Sequence, residues 1–428
     1  MPVGANTISV YKTFASEGAS FRRAFIFDPG LGGVTGHWLA FSSRLLCEFN
    51  GRGIETRLYG NINADDKLLD GLEVHPLFRH LPWHTFVQDP DRNLESQIDE
   101  FFNDLARLDA TEFNCWDLLI FPSLFPGQLG GLMRWLNLHR AGLKACVALV
   151  FQFSEGTNVF GADNSNVHRF RQAINLSADL SQFPTVRCFA SSVPLAHRYS
   201  IITGIQVYGL PMPAVYDPIV NPVIHEGSKY TERINVGYFG HASLEKGAHF
   251  LDAIVHRARV RLPMVRFILH ANPNPDTLRI LEGLRDSQPE NAVLHWGHLR
   301  ESAMRALMND TDILLMPYDA QKYEALPSMV FCEAMLAGKI VVTAEGTWMA
   351  REAYRLGASV VLFDDFNADS VFLALQKAVE GCRDLADRAL VTAGIWRSHH
   401  NVGNFVSGLL KPGVWASTCE SELGWSGR

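Results

Sequence analysis

The sequence predicts an α/β protein with two doubly wound domains in tandem, and three observations support this prediction. Short apolar runs alternate with amphipathic helical segments along both halves of the chain, which is typical of parallel sheets with helices on both faces. A segment with four prolines, 211–222, separates the halves, and proline fits neither helix interiors nor sheet ladders. The 428 residues also exceed the length that one hydrophobic core usually supports.

The first predicted domain spans residues 1–212. Its clearest strands are near-continuous apolar runs, DLLIF and ALVFQF, as expected of strands that are buried on both faces of a sheet. Its clearest helix carries apolar side chains at the spacing of one helical face. The predicted strands are 25–27, 54–59, 117–121 and 148–153, and the predicted helices are 38–49 and 93–105.

An interdomain linker is predicted at 213–230, and a second domain at 231–395. In this domain the alternation of strands and helices begins again with the apolar run INVGYF. Its strands are predicted at 234–239, 265–270, 293–296, 313–316 and 340–343, and its helices at 247–258 and 329–337. The remaining residues, 396–428, start with a helical pattern over 396–410.

Composition excludes several classes of protein. The net charge of −7 and the lack of a basic run argue against nucleic acid as a partner. The seven cysteines are scattered without a CxxC pair, so we expect neither a disulfide framework nor a metal site. The N-terminal sequence lacks the basic and apolar regions of a secretory signal, and no run of about 18 apolar residues occurs. We therefore expect a cytoplasmic location.

A glycine-rich loop, DPGLGGVTG, follows the first predicted strand and precedes the first predicted helix. Gly30, Gly32 and Gly33 would let the backbone approach a ligand closely, and the helix would offer free N–H groups to an anion. However, the glycine spacing is one residue longer than the dinucleotide fingerprint, and residues 58–61 supply no acidic side chain for a ribose. The loop is therefore either one wall of a ligand cleft or a plain tight turn.

The second domain carries a sharper pattern in two segments. In INVGYFGHASLEKG, a strand leads through Gly240 to Lys246, which we expect at a helix N-terminus on the carboxyl edge of the sheet. An ammonium group there would oppose a diphosphate. In the second segment, Ser328 is expected to cap a helix. The first N–H groups of that helix, those of Met329 and Val330, would bind a further phosphate edge.

Glu333 would lie one turn inside that helix, on the face of Met329 and Val330, where a carboxylate can accept hydrogen bonds from ribose hydroxyls. Together the two segments resemble the C-terminal domain of the retaining group 1 glycosyltransferases. The resemblance is clear over about residues 232–365, and the matching positions are Gly240, Lys246, Gly247, Glu333, Ala334 and Gly338. The turn with Trp296, His298 and Leu299 resembles the base-binding turn of this family.

The resemblance implies the GT-B fold, in which two Rossmann-like domains face each other across a cleft and the last helix, here 396–410, returns to the first domain. It implies transfer of a sugar, with retention, from a UDP- or GDP-type nucleotide-sugar to a hydroxyl acceptor such as a glycan, a lipid-linked saccharide or a small molecule. The nucleotide-sugar is a co-substrate, so no cofactor is expected. Many members work at the inner face of a membrane, so peripheral membrane contact is compatible with the resemblance. The oligomeric state is not indicated.

Three features depart from the family pattern. His241 stands where members usually have arginine, and histidine is only partly charged at neutral pH. Ala325 stands where the first of two glutamates is expected, although Glu324 is adjacent and is our candidate catalytic residue together with Lys246. Residues 122–123 and 152–153 lack the histidine that often follows a middle strand of the first domain. These departures leave open an alternative, a relative with impaired turnover that binds nucleotide-sugars or glycans. A hydrolytic or epimerising relative is a third alternative.

Overall fold

The structure, a computed structural model, contains two β-sheets, and each is made of parallel strands that are flanked by helices. The predicted α/β class with two doubly wound domains is confirmed. The predicted linker, 213–230, lies outside the described residues. The residues that the structure describes are 21–32, 38–64, 72–81, 94–152, 180, 183, 185–212, 233–273, 275–297, 299, 301–358, 360–411 and 413–415.

Within these residues, the first sheet has seven strands in the order β3-β2-β1-β4-β5-β6-β7. The chain starts on a central strand, moves to one edge and then crosses to the other edge, as in doubly wound folds. The strands are β1 (Arg23–Phe27), β2 (Glu55–Asn61), β3 (His75–Phe78), β4 (Asp117–Phe121), β5 (Cys146–Phe151), β6 (Val186–Ala190) and β7 (Val207–Gly209). The helices are α1 (Trp38–Gly51), α2 (Leu94–Leu105), α3 (Pro126–Leu138) and α4 (Val193–Thr203).

The second sheet has the order β11-β10-β8-β12-β13-β14, and a short strand, β9, pairs with the end of β10. The strands are β8 (Ile234–Tyr238), β9 (His241–Ala242), β10 (Val265–Pro273), β11 (Ala292–Trp296), β12 (Ile313–Met316), β13 (Ile340–Ala344) and β14 (Val360–Phe363). The helices are α5 (Leu251–Arg261), α6 (Pro275–Ser287), α7 (Glu301–Asp310), α8 (Met329–Leu336), α9 (Trp348–Arg355), α10 (Ala368–Glu380), α11 (Cys382–His399) and α12 (Val402–Leu409). No helix in the described parts of the chain is both long and apolar enough to cross a membrane.

The first sheet is stabilised by apolar side chains on both of its faces. In β1, Phe25 and Phe27 contribute to one core layer, whereas Ala24 and Ile26 contribute to the layer on the opposite face. Phe27 stacks on Phe121 of the neighbouring strand β4, with the ring centroids 4.9 Å apart. Because both faces are buried, most residues of such a strand are apolar, which explains the near-continuous apolar runs in the sequence.

The strands that the sequence did not predict are short or carry polar residues. Strands β3 and β7 lie at the two edges of the first sheet, and β3 contains Pro76, which an edge strand tolerates. Strand β6 includes Arg187, whose guanidinium donates to the backbone oxygen of Val414 at 2.6 Å. This tertiary contact with the end of the chain lies far away in the sequence, so local pattern could not reveal it.

The helix predicted at 396–410 is two helices, α11 and α12, and this part of the prediction is wrong. The chain turns between them at His400 and Asn401, and the Asn401 side chain caps α12 by accepting a hydrogen bond from the N–H of Asn404 at 2.7 Å. Helix α12 packs on α1 of the first domain, where the rings of Phe405 and Phe41 are 5.5 Å apart.

Candidate functional site

Two loops of the second domain meet at the carboxyl edge of its sheet, where the neighbouring strands β8 and β12 end. Gly240 follows β8 with a φ of +108°, which an L side chain rarely adopts. A Cβ atom at this position would lie 3.7 Å from Cγ2 of Val330 and 4.0 Å from Nζ of Lys246. The structure therefore brings three predicted site residues together at the edge where open α/β sheets bind ligands.

Lys246 does not stand at the start of a helix, so this part of the sequence prediction is wrong. It ends a 3₁₀ turn, Leu244–Lys246, and α5 begins only at Leu251, after a second 3₁₀ turn. Gly247 separates the two turns with a φ of +67°. A Cβ atom on Gly247 would lie 2.3 Å from the carbonyl oxygen of Pro317. This close packing against the loop after β12 keeps the lysine loop out of α-helical geometry.

The ammonium group of Lys246 lies 5.6 Å from the ring centroid of Tyr318, within the range of a cation–π contact. The side chain is half-buried, and it has no hydrogen bond or ion pair in the part of the chain that the structure describes. Burial lowers the pKa of Lys246, and the charge of Glu245 opposes this effect without cancelling it. A cation without a carboxylate partner in this position suits an anionic ligand.

His241 forms the short strand β9 beside the end of β10. Its side chain is half-buried, and Nε2 is enclosed without a hydrogen-bond partner among the described residues. Burial and the charge of Lys246 lower the pKa of His241 from its ordinary value of 6.5. His241 is therefore mainly neutral at pH 7, and it does not supply the second full positive charge that an arginine would.

Helix α8 begins at Met329 with Ser328 as its N-cap, as the sequence predicted. The Ser328 hydroxyl accepts a hydrogen bond from the N–H of Phe331 at 3.4 Å and is also hydrogen-bonded to Tyr318. The cap leaves the N–H groups of Met329 and Val330 without a helical acceptor. Both residues are half-buried, so this helix end can face an anion next to Lys246.

Glu333 lies one turn inside α8, on the same face as Met329 and Val330. Its neighbours Cys332 and Ala334 are fully buried, whereas Glu333 is half-buried. A carboxylate that is set back from the first N–H groups can accept hydrogen bonds from hydroxyls of a ligand whose phosphates lie at the helix start.

On the other side of β8, strand β11 ends at Trp296, and Gly297 turns the chain with a φ of +82°. The Arg285 guanidinium lies over the Trp296 ring, 4.9 Å from its centroid. Leu299 follows the turn and is half-buried, while the predicted residue His298 lies outside the described residues. This turn follows β11 and the lysine loop follows β8, and strand β10 lies between these two strands in the sheet.

Glu324 and Ala325 face the first domain. The Glu324 carboxylate accepts a hydrogen bond from the Arg198 guanidinium at 3.0 Å, and 56% of the Glu324 side chain is exposed. The carbonyl oxygen of Ala325 accepts a hydrogen bond from the Ser192 hydroxyl at 3.0 Å. The methyl group of Ala325 packs into the core of the first domain and is 3% exposed. The position where the family has a glutamate is therefore an interdomain contact in this chain.

The glycine loop of the first domain is held by Asp28, which directly follows β1. Its carboxylate accepts hydrogen bonds from the N–H of Gly30 at 3.0 Å and from the hydroxyl of Ser42 in α1 at 2.6 Å. Burial raises the pKa of Asp28 to about 6, although these hydrogen bonds oppose the shift. Gly32 packs closely against Asn61, and Gly33 lies outside the described residues. Sequence reasoning missed Asp28, although an aspartate two residues before a glycine is typical of a side-chain-stabilised turn.

Uncharged polar side chains follow the other strands of the first sheet. Ser123 follows β4, Gln152 follows β5, and Ser191 follows β6, and all three are buried. Gln152 donates a hydrogen bond to the backbone oxygen of Pro122 at 2.7 Å, which links the loops after β4 and β5. Among the described residues, the strand ends of this edge therefore present hydroxyl and amide groups, with Asp28 as an acidic group bound inside its own loop.

A comparison with protein families identifies the second domain. Residues 233–380 match the family described as glycosyl transferases group 1. The second domain is a group 1 glycosyltransferase domain. This confirms the family that the lysine-loop and α8 segments indicated, and the general activity of the family is sugar transfer. A search of curated proteins found none with significant sequence similarity to the chain.

Solved structures extend the similarity over both domains of the chain. Sucrose-phosphate synthase from Thermosynechococcus elongatus has a TM-score of 0.65 at 13% identity and covers 92% of this chain and 100% of its own. The catalytic domain of starch synthase IV from Arabidopsis thaliana, bound to ADP and acarbose, has a TM-score of 0.64 at 10% identity, with 94% and 100% covered. Anabaena HepE in complex with UDP-glucose has a TM-score of 0.60 at 15% identity, with 93% and 98% covered. These similarities confirm the GT-B fold.

The two domains differ in how completely the predicted residues come together. Gly240, Lys246 and Val330 lie close together in the second domain, and Tyr318 joins them as a residue that sequence reasoning missed. Tyr318 comes two residues after the end of β12, a strand-end position that could have marked it. Glu324 is instead directed to Arg198 of the first domain.

Proposed function

We propose that this chain moves a sugar from a nucleoside-diphosphate sugar to a hydroxyl acceptor, with retention at the anomeric carbon. The observation that supports the proposal most is the ammonium group of Lys246, which lies beside Gly240 and the start of α8 and has no hydrogen-bond or ion-pair partner among the described residues. This arrangement combines a positive charge, a glycine without a side chain and free helix N–H groups, which together suit a diphosphate. In the transfer step the same groups would stabilise the negative charge that develops on the leaving diphosphate.

In this proposal each donor residue has a defined role. Lys246 and the N–H groups of Met329 and Val330 hold the diphosphate, and His241 adds a neutral imidazole close enough to Lys246 for that charge to lower its pKa. Glu333 accepts hydrogen bonds from the ribose hydroxyls. The turn of Trp296, His298 and Leu299 contacts the base.

Glu324 is proposed to act on the sugar side of the site, where its carboxylate stands next to Arg198. The ion pair orients Glu324 at the boundary between the domains, and more than half of the side chain stays exposed. The acceptor side would be formed by the glycine loop of the first domain, with Gly30, Gly32 and Gly33. The hydroxyl and amide groups at the ends of β4, β5 and β6 would complete it. Uncharged hydrogen-bonding groups suit a hydroxyl-rich acceptor.

A catalytically impaired binding protein is the second candidate, and a specific observation favours it. The second cation is replaced by a neutral histidine, and the expected glutamate position is taken up by the Ala325 contact with the first domain. Such a protein would keep nucleotide-sugar binding through Lys246 and α8 but lose turnover.

One experiment separates the two candidates. The protein is incubated with UDP-, GDP- and ADP-glucose, with a glycan mixture as acceptor, and release of nucleoside diphosphate is followed together with the thermal unfolding midpoint. Release of one diphosphate supports the transferase. A raised midpoint without release supports the binding protein, because ligand binding to the folded state stabilises it. Neither release nor a shift with any of the nucleotides would contradict both.

A further inference from the structure

His270 links the two turns that the donor proposal assigns to the base and to the diphosphate. It lies on β10, which is the strand between β11 and β8. The turn after β8 begins the lysine loop at Gly240, and the turn after β11 contains Gly297. The His270 side chain is almost completely buried, with 7% exposed, so it acts from behind the proposed ligand surface.

Each ring nitrogen of His270 is bonded to one of these turns. Nδ1 accepts a hydrogen bond from the N–H of Gly240 at 3.4 Å, and Nε2 donates to the carbonyl oxygen of Gly297 at 2.7 Å. An amide N–H can only donate and a carbonyl oxygen can only accept, so this pair of bonds requires the neutral imidazole with its hydrogen on Nε2. A side chain with one donor and one acceptor at this separation is needed to hold both turns.

Both turns need a hydrogen bond from a neighbouring side chain to hold them in place, because their glycines contribute no side-chain packing. Gly240 and Gly297 adopt φ values of +108° and +82°. A Cβ atom on Gly297 would meet no atom within 4 Å, so this turn is open around its central carbon. The N–H of Gly297 is bonded to Ala271 at 2.9 Å, also on β10, so His270 adds the second bond that fixes the peptide plane after the glycine.

We propose that His270 is a positioning residue that sets the separation between the nucleoside and diphosphate subsites. This inference rests on the proposed function. A nucleoside diphosphate spans both subsites, and it binds more tightly than its two fragments only if the subsites are held at the spacing of the covalent ligand. His270 holds this spacing without contacting the ligand, and therefore contributes to the affinity for the whole nucleotide rather than for either part.

Two conservative variants each keep one of the two hydrogen bonds that His270 makes. His270→Asn retains an acceptor near the Nδ1 position for Gly240, and His270→Gln retains a donor near the Nε2 position for Gly297. Affinities are measured by calorimetry for UDP, GDP and ADP, and for uridine, guanosine, adenosine and inorganic pyrophosphate. For the nucleotide that the wild type binds best, both variants are expected to lower the affinity roughly tenfold. The affinities for the matching nucleoside and for pyrophosphate should change by less than about threefold.

The matched control is Asn291→Ala. Asn291 precedes β11 at the opposite edge of the sheet, and its side chain donates one hydrogen bond to the backbone oxygen of Val255 at 3.0 Å. This variant and the two His270 variants should all lower the thermal unfolding midpoint, because each loses a partly buried hydrogen bond. Asn291→Ala should nevertheless leave nucleotide affinity unchanged. Equal losses for the nucleotide and both fragments would show a general structural role and overturn the inference. A loss in only one of the two His270 variants would assign the effect to a single turn and also overturn it. If the wild type binds none of the three nucleotides, the proposed function itself fails.

Discussion

Lys246 is the residue on which the donor proposal depends most directly. Its ammonium group has the Tyr318 ring on one side and Gly240 close by. Tyr318 is in turn bonded to the cap residue Ser328, so the lysine, the aromatic ring and the start of α8 form one connected unit. The ring shields the charge from water on one side, which strengthens its interaction with a ligand anion on the other.

Lys246→Ala is expected to reduce kcat/KM by more than about tenfold, or about 1.4 kcal/mol, because the diphosphate loses its only full positive partner in the described site. The measurement is the rate of nucleoside diphosphate release at subsaturating donor. Lys377→Ala is the control, since Lys377 is exposed on α10, away from the sheet edge. An unchanged rate in Lys246→Ala would place the diphosphate elsewhere.

His241 predicts an unusual pH dependence. Its pKa lies below 6.5 because of burial and the charge of Lys246, so the imidazole gains its proton only in acid. The contribution of His241 to donor affinity should therefore be small at about pH 7 and above and should grow as the pH falls below 6.5, where the added positive charge favours the diphosphate. Binding is measured from pH 5.5 to 8.5, at roughly half-unit steps.

His241→Asn removes this titration and serves as the control, because the ligand phosphates titrate in both proteins. The difference between the two pH profiles isolates the histidine. A difference that decreases between about pH 7 and 8 would show a raised pKa and contradict the environment described for His241.

At the scale of elements, α8 combines a structural cap with the proposed phosphate site. Ser328 accepts from the N–H of Phe331 and fixes the direction of the first turn. Ser328→Ala should destabilise the protein by about 1 kcal/mol and also weaken donor binding, because the free N–H groups lose their fixed direction. Ser328→Thr can still cap the helix, so it should keep most of the stability and most of the donor affinity. Unfolding in urea and calorimetry with the donor nucleotide would test this, and a loss of stability with full affinity would separate the cap from the site.

The sequence was most informative where both faces of an element are buried. Strands β4 and β12 have the predicted bounds, because all of their side chains except that of Asp117 at the start of β4 are apolar. The sequence was least informative where distant residues decide the local geometry. The lysine loop leaves helical geometry because Gly247 packs on Pro317, 70 residues later in the sequence, and no local pattern contains that contact.

The candidate site follows the same division. Lys246, Ser328 and Glu333 could be proposed from the sequence because each stands at a fixed offset from a buried strand or at a helix start. His270 could not be proposed from the sequence, because its proposed role depends on β10 lying between β11 and β8, and the local sequence does not reveal strand order. The orientation of Ala325 into the first domain likewise depends on how the two domains meet.

At the scale of the whole molecule, Ala325 connects the two domains. Introducing the family's glutamate by Ala325→Glu should therefore lower stability and not raise activity. The new carboxylate would be buried in the core of the first domain without a partner, at a cost of several kcal/mol. Thermal unfolding of this variant is compared with that of Ala325→Ser, which is nearly the same size and uncharged. A stable and more active Ala325→Glu protein would show that the loop is free to leave the interface.

Within the described residues, the first domain ends at Met212 and the chain returns to it at His400, and the imidazole of His400 connects these two places. Nδ1 of His400 accepts a hydrogen bond from the N–H of Met212 at 3.1 Å, while Nε2 is bonded to Glu352 of the second domain at 2.8 Å. A rotation of one domain against the other that keeps both of these hydrogen bonds must have its axis near His400. Displacement grows with distance from the axis, so the mouth of the cleft would open widest where it lies farthest from this histidine, while the protein near it would hardly move.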